Sequence, residues 1–81
     1  MIVRIRLGTS LARLAPAPTL RVELPNGATV EDLYDRLARS TPELGPALIS
    51  ALPVVEGRHV RKDRTLSPDQ EVALLTPVAG G

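Results

Sequence analysis

Apolar and charged residues alternate from the first positions of the chain. Val3, Ile5 and Leu7 fall on one side and Arg4 and Arg6 on the other. A period of two with β-branched residues predicts a strand over 1–7, ended by Gly8. Leu20, Val22 and Leu24 alternate with Arg21 and Glu23 in the same way and predict a second strand, antiparallel to the first. Between the two, Thr9 or Ser10 can cap a short helical turn over 11–14, with Leu11 and Leu14 facing the core together. Pro16 and Pro18 then keep the connection extended.

After the turn signal Pro25-Asn26-Gly27 the period becomes helical. Thr29 stands as N-cap, Glu31 and Asp32 occupy the first turn where the helix dipole favours carboxylates, and Val30, Leu33, Tyr34 and Leu37 form one apolar stripe. Asp32 sits where a capping box takes Glu or Gln, which argues against the reciprocal bond. The helix is expected to end near Arg39, and Pro42 can open a shorter one running to about Ile49. Pro53-Val54-Val55-Glu56 predicts a third, short strand turned by Gly57. Residues 58–64 carry four positive charges around the lone apolar Val60 and read as a solvated basic loop, able at most to steer an acidic partner or a phosphorylated substrate. Leu66 is expected to plug the core, and Ser67-Pro68-Asp69-Gln70 to turn the chain into a last strand from Glu71.

In that last strand, parity sends Val72 and Leu74 inward and leaves Ala73 and Leu75 facing out, with Leu75 a candidate partner contact. Pro77 removes a ladder donor and stops pairing, so the sequence divides into a domain over 1–76 and an extended, flexible tail over 77–81. The element order predicts an α+β fold: a mixed sheet packed on one main helix plus short helices. Val3, Ile5, Val22, Leu33, Leu37 and Val72 would share its core. Pairing the last strand parallel to the first needs a long crossover, and residues 25–70 supply it.

Composition narrows the function more than it names it. Of the 81 residues 43% are hydrophobic, yet there is no Phe or Trp and one Tyr, so the core must be aliphatic. The chain has no cysteine, which removes disulfides, thiolate metal sites and a cysteine nucleophile. A lone histidine, His59, makes no metal cluster and reads as an exposed loop residue. A net charge of +1 makes no case for nucleic acid. No run approaches the about 18 apolar residues of a membrane span, and no signal-peptide core opens the chain, so a cytoplasmic protein off the membrane is expected.

The chemistry is therefore sought at the end of the sequence. Pro77-Val78-Ala79-Gly80-Gly81 spans at most about 17 Å at ~3.4 Å per residue and ends as a strip without side chains, thin enough for a narrow channel. With glycine near 7% of residues, a chance Gly-Gly ending has a probability of roughly 0.5%.

Three stretches, in order and at compatible spacings, resemble the MoaD/ThiS family of ubiquitin-like sulfur carriers. Pro25-Asn26-Gly27-Ala28-Thr29-Val30-Glu31-Asp32-Leu33 is similar to its G-x-T-V-x-x-L helix start, and Leu66-Ser67-Pro68-Asp69-Gln70-Glu71-Val72 to its L-x-x-G-D-E-V turn. Thr76-Pro77-Val78-Ala79-Gly80-Gly81 is similar to the P-P-V-x-G-G ending of the small subunit of molybdopterin synthase. Asp69 and Gln70 stand where the family has glycine and aspartate, and Leu74-Leu75 where aromatic residues often precede the final proline motif.

The resemblance implies a β-grasp (ubiquitin-like) fold and a carrier that binds no cofactor of its own. A ubiquitin-activating-like enzyme would use ATP to adenylate the Gly81 carboxylate, with Gly80 beside it. Sulfur from a persulfide donor would then displace AMP and leave a thiocarboxylate, a better nucleophile that passes sulfur on in another protein's active site. For the small subunit of molybdopterin synthase that other protein is the large subunit, reached through Ala73, Leu75, Pro77, Val78 and Ala79. Open alternatives are a sulfur carrier for thiamine, cysteine or tRNA thiolation, a modifier joined to target lysines by isopeptide bonds, and a non-catalytic β-grasp interaction module.

Overall fold

The computed structural model describes residues 1–76 and builds from them one five-stranded mixed sheet. Strand β1 (Ile2–Leu7) pairs antiparallel with β2 (Thr19–Glu23), setting Val3 opposite Val22 and Ile5 opposite Leu20. A single helical turn, α1 (Thr9–Ala12), lies between them. The main helix α2 (Val30–Ser40), a 3₁₀ turn (Pro42–Leu44) and α3 (Gly45–Leu48) follow, then β3 (Leu52–Val55), β4 (Arg58–His59) and β5 (Glu71–Leu75). The sheet order is β2-β1-β5-β3-β4, with β5 parallel to β1 and antiparallel to β3. The last strand thus sits at the centre, beside the first, as the crossover length required.

Alternation in sequence becomes alternation in burial. Val3, Ile5 and Leu7 of β1 are inside while Ile2, Arg4 and Arg6 are exposed. All four stripe residues of α2 are buried, and they share one cluster with Val3, Ile5, Val22, Val72 and Leu74. The core is aliphatic, with Tyr34 its sole aromatic member, and its hydroxyl donates to the Ala51 carbonyl at 2.9 Å. That bond ties α2 to the chain entering β3. Leu66, at the end of the segment that follows β4, is buried, and its amide donates to the Ala28 carbonyl at 2.8 Å.

The start of α2 is fully satisfied. The Thr29 amide donates to Asp32 Oδ2 at 2.8 Å and the Asp32 amide donates to Thr29 Oγ1 at 3.3 Å, a complete capping box. The reciprocal bond that the sequence argued against therefore forms, because the shorter aspartate still reaches one residue-turn back. The amides of Val30 and Glu31 donate to the carbonyls of Arg64 (3.0 Å) and Lys62 (2.9 Å). The segment after β4 is thus a strap over the helix N-terminus, whose orphan donors it fills.

Three other local expectations change. Gly8, rather than Thr9 or Ser10, is the N-cap of α1, with no side-chain cap bond. The helix ends at Ala12, one turn long, so Leu11 is fully buried while Leu14 is 42% exposed. Arg58 and His59, expected in a loop, form a strand against β3 through a tight turn at Glu56 and Gly57.

Candidate functional site

The site is assembled around the end of β5. Because β5 is flanked by β1 and β3, its last residues are held from both sides: the Gly8 amide donates to the Leu74 carbonyl at 2.9 Å, and Leu75 is the register partner of Leu52. Gly8 matters here for its size. A Cβ on it would stand 3.4 Å from both the Leu74 carbonyl oxygen and Leu75 Cδ2, so a side chain would press on the end of β5. Thr76 is half-buried and follows directly.

Leu74 and Val72 point into the core with no exposure, while Leu75 is 42% exposed on the outer face. Ala73 departs from expectation: it lies on the outer side of the sheet by parity but is buried. It is registered with Arg6 on one side and Val54 on the other, and a methyl group between larger neighbours on both flanks is screened by them. Leu52, Val54 and Leu75 therefore make an apolar row on the outer face. Arg4, Arg6 and Arg21 occupy the β1–β2 half of that face by the same parity. The Arg6–Glu71 ion pair there spans 3.8 Å with both side chains largely exposed, so it adds little stability. Of the candidate site residues, Pro77, Val78, Ala79, Gly80 and Gly81 lie outside the described residues.

Apart from the Tyr34 hydroxyl, no polar or charged side chain is buried among the described residues, and among them no group of three or more His, Cys, Asp or Glu could hold a metal ion. Burial pushes the Tyr34 phenol up to about 12, and its proton is engaged with Ala51, so it is a structural hydroxyl. His59 is exposed on β4. What the described part offers chemically is a rigid mount and an apolar outer row beside it.

The ThiS family model matches residues 5–81. The chain belongs to the ThiS family. Its structure is similar to that of SAMP1 from Haloferax volcanii, with 26% identity, a TM-score of 0.90 and full coverage of both chains. It is also similar to a chain in the complex of subunits 1 and 2 of molybdopterin-converting factor from Helicobacter pylori, at 16% identity and a TM-score of 0.73 over the whole of both chains. A ubiquitin from Caldiarchaeum subterraneum matches at 19% identity and a TM-score of 0.67, covering all of this chain and 98% of that one. The last two share the fold. No curated protein matches the chain in sequence. As a ThiS-family member the protein is a ubiquitin-like β-grasp domain of α+β class. Among the described residues no helix is long and apolar enough to cross a membrane.

The strap at 60–66 and the two-residue β4 escaped the sequence reading. Their signal was faint: Glu56-Gly57 marks a turn, and Val60 continues the in–out alternation of Val55 past it.

Proposed function

We propose that this ThiS-family protein is a cytoplasmic sulfur carrier whose Gly81 carboxylate is the working group, serving as the small subunit of a molybdopterin synthase. The observation that carries the reading is the end of β5: a central strand, bonded on both sides, runs at Leu75 and Thr76 into Pro77-Val78-Ala79-Gly80-Gly81. A globule followed in sequence by a five-residue segment that ends in two glycines suits delivery of a terminal group into another protein's pocket.

A carboxylate is a poor electrophile. In the first step a carboxylate oxygen of Gly81 attacks the α-phosphate of ATP on an adenylating enzyme, releasing pyrophosphate. The terminal sulfur of a persulfide donor then attacks the acyl carbon and AMP leaves, which forms an acyl persulfide. A thiol attacks the donor's sulfur, breaks the S–S bond and releases the thiocarboxylate, with the donor left as a disulfide. The large subunit receives the tail, with Leu75 and its apolar neighbours as the docking row and Pro77, Val78, Ala79 and Gly80 as the threaded part. The likeness to a chain of the Helicobacter pylori two-subunit complex supports that choice of partner.

Incubation with the adenylating enzyme, ATP and a sulfur donor is expected to add the mass of one oxygen exchanged for sulfur, mapping to the C-terminal peptide. Deleting Gly81 abolishes the change and leaves the melting curve as it was. A C-terminal tag also blocks it, since the carboxylate becomes an amide. Undiminished sulfur transfer by the deleted or tagged protein overturns the reading.

The similarity to SAMP1, a small archaeal modifier protein, over the full length of both chains favours a second reading. In it the same activated Gly81 forms isopeptide bonds with lysines of other proteins. Conjugates that survive reducing, denaturing electrophoresis and disappear on Gly81 deletion would identify it.

A further inference from the structure

Where the chain entering β3 parts from the chain leaving β4, a groove of about 370 Å³ opens on the surface. Ala51, Pro53 and Val60 form its apolar floor and are buried. On one lip stand Ile49 and Leu52, 83% and 40% exposed; on the other stand His59, Arg61 and Lys62. No Asp or Glu lines it. Both walls are fixed, and Tyr34 links them. Its hydroxyl holds the Ala51 carbonyl of one wall, and the Lys62 ammonium of the other wall rests 4.9 Å from its ring centroid. The Lys62 carbonyl is bonded to the first turn of α2, and the Val60 amide to the Pro53 carbonyl at 3.0 Å.

An exposed isoleucine alone is ordinary on a surface. Here it lines the same groove as Leu52, which is registered with Leu75, so the exposed aliphatic strip runs from the groove to the end of β5. We propose that this groove docks an extended acidic segment of a protein partner: an aliphatic side chain lies against Ile49 and Leu52, and flanking carboxylates meet Arg61 and Lys62. Charge complementarity selects the occupant. Asp63 pairs with Arg61 at 3.3 Å, but both side chains are largely exposed and an incoming carboxylate displaces that contact at small cost. No Phe, Tyr or Trp lines the groove and its one ring is the small imidazole of His59, a poor platform for successive bases, which favours a peptide over a nucleic acid. Binding in the groove requires no reaction at Gly81, so the proposal does not depend on that chemistry.

The probe is acetyl-Glu-Asp-Leu-Asp-Glu-amide titrated into the ¹⁵N-labelled full chain at low salt. Saturable shifts are expected at the amides of Ile49, Leu52, Val60, Arg61 and Lys62. Ile49→Ser and Lys62→Glu are each expected to weaken binding about fivefold or more, and raised salt to weaken it further. Ile49 is 83% exposed, so its variant keeps the fold, checked by unchanged signals elsewhere. The proposal fails if shifts centre on Arg4, Arg6 and Arg21 or if no saturable shift occurs. It fails equally if Ile49→Ser binds as wild type, or if a single-stranded oligonucleotide moves the same amides as strongly.

Discussion

Leu33 has no exposed surface and shares the core cluster with the sheet, so Leu33→Ala removes a packed side chain from a core whose one aromatic ring, Tyr34, is held in place by its bond to the Ala51 carbonyl. A loss of about 2–5 kcal/mol is expected. A domain of this size has a margin of only ~5 kcal/mol, so the variant should be partly unfolded at room temperature in urea melts. Tyr34 allows a second, cleaner measurement because it is the single tyrosine. Its phenol is raised from 10.0 to about 12 by burial, so the fold favours the neutral form. The stability it contributes is complete below pH 10 and is lost as pH rises from 10 towards 12, where the unfolded chain releases the proton and the folded one keeps it. Tyrosinate absorbance should titrate near 12 in the folded protein, and Tyr34→Phe should remove this alkaline loss. The burial of Tyr34 was legible in the helical stripe. Its partner was not, because Ala51 lies 17 residues on and the bond exists only after α2 and β3 are brought together.

At the scale of elements, the turn at Glu56 and Gly57 carries the cost of a strand that periodicity did not reveal. Both residues have positive φ, 52° and 76°, as a two-residue hairpin turn requires. Glutamate is a poor choice for that region, whereas asparagine tolerates it. Glu56→Asn is therefore expected to stabilise by about 0.5–1 kcal/mol, read as a raised urea midpoint with unchanged slope. A fall in the midpoint would mean that the Glu56 side chain has an unrecognised role. Asp69, at φ 61°, stands where the family has its turn glycine, and it keeps the turn because aspartate also visits the left-handed region. The capping box teaches the same lesson. Residue type along the chain told where α2 starts, and only the positions of Thr29 and Asp32 in space told that both bonds close.

For the whole molecule, the central place of β5 separates stability from recognition within two adjacent residues. Leu74 is fully buried, whereas Leu75 is 42% exposed beside Leu52. Leu75→Glu is expected to change stability by no more than about 0.5 kcal/mol, as for other surface substitutions. Under the proposed function it should weaken binding of the large subunit roughly tenfold or more, because a charge enters a desolvated apolar contact. Calorimetry of the pair together with a melting curve checks both halves. Unchanged affinity would remove the outer row from the interface, and a large drop in melting temperature would show that Leu75 packs as a core residue.

The sequence by itself determined the order of the elements apart from β4, the inward faces of β1, β2, α2 and β5, and the resemblance carried by the helix start, the final turn and the Gly-Gly ending. These rest on local periods and on short motifs, which a linear chain displays directly. Tertiary structure alone decided that Ala73 is covered, that Leu14 is not, that Arg58 and His59 pair with β3, and that the basic segment is a strap over α2. It also decided that Ile49, Arg61 and Lys62 face one another across a groove. Each of these depends on which neighbour stands opposite a residue, and burial and hydrogen-bond partners are set across the sheet, by chain segments far apart in sequence.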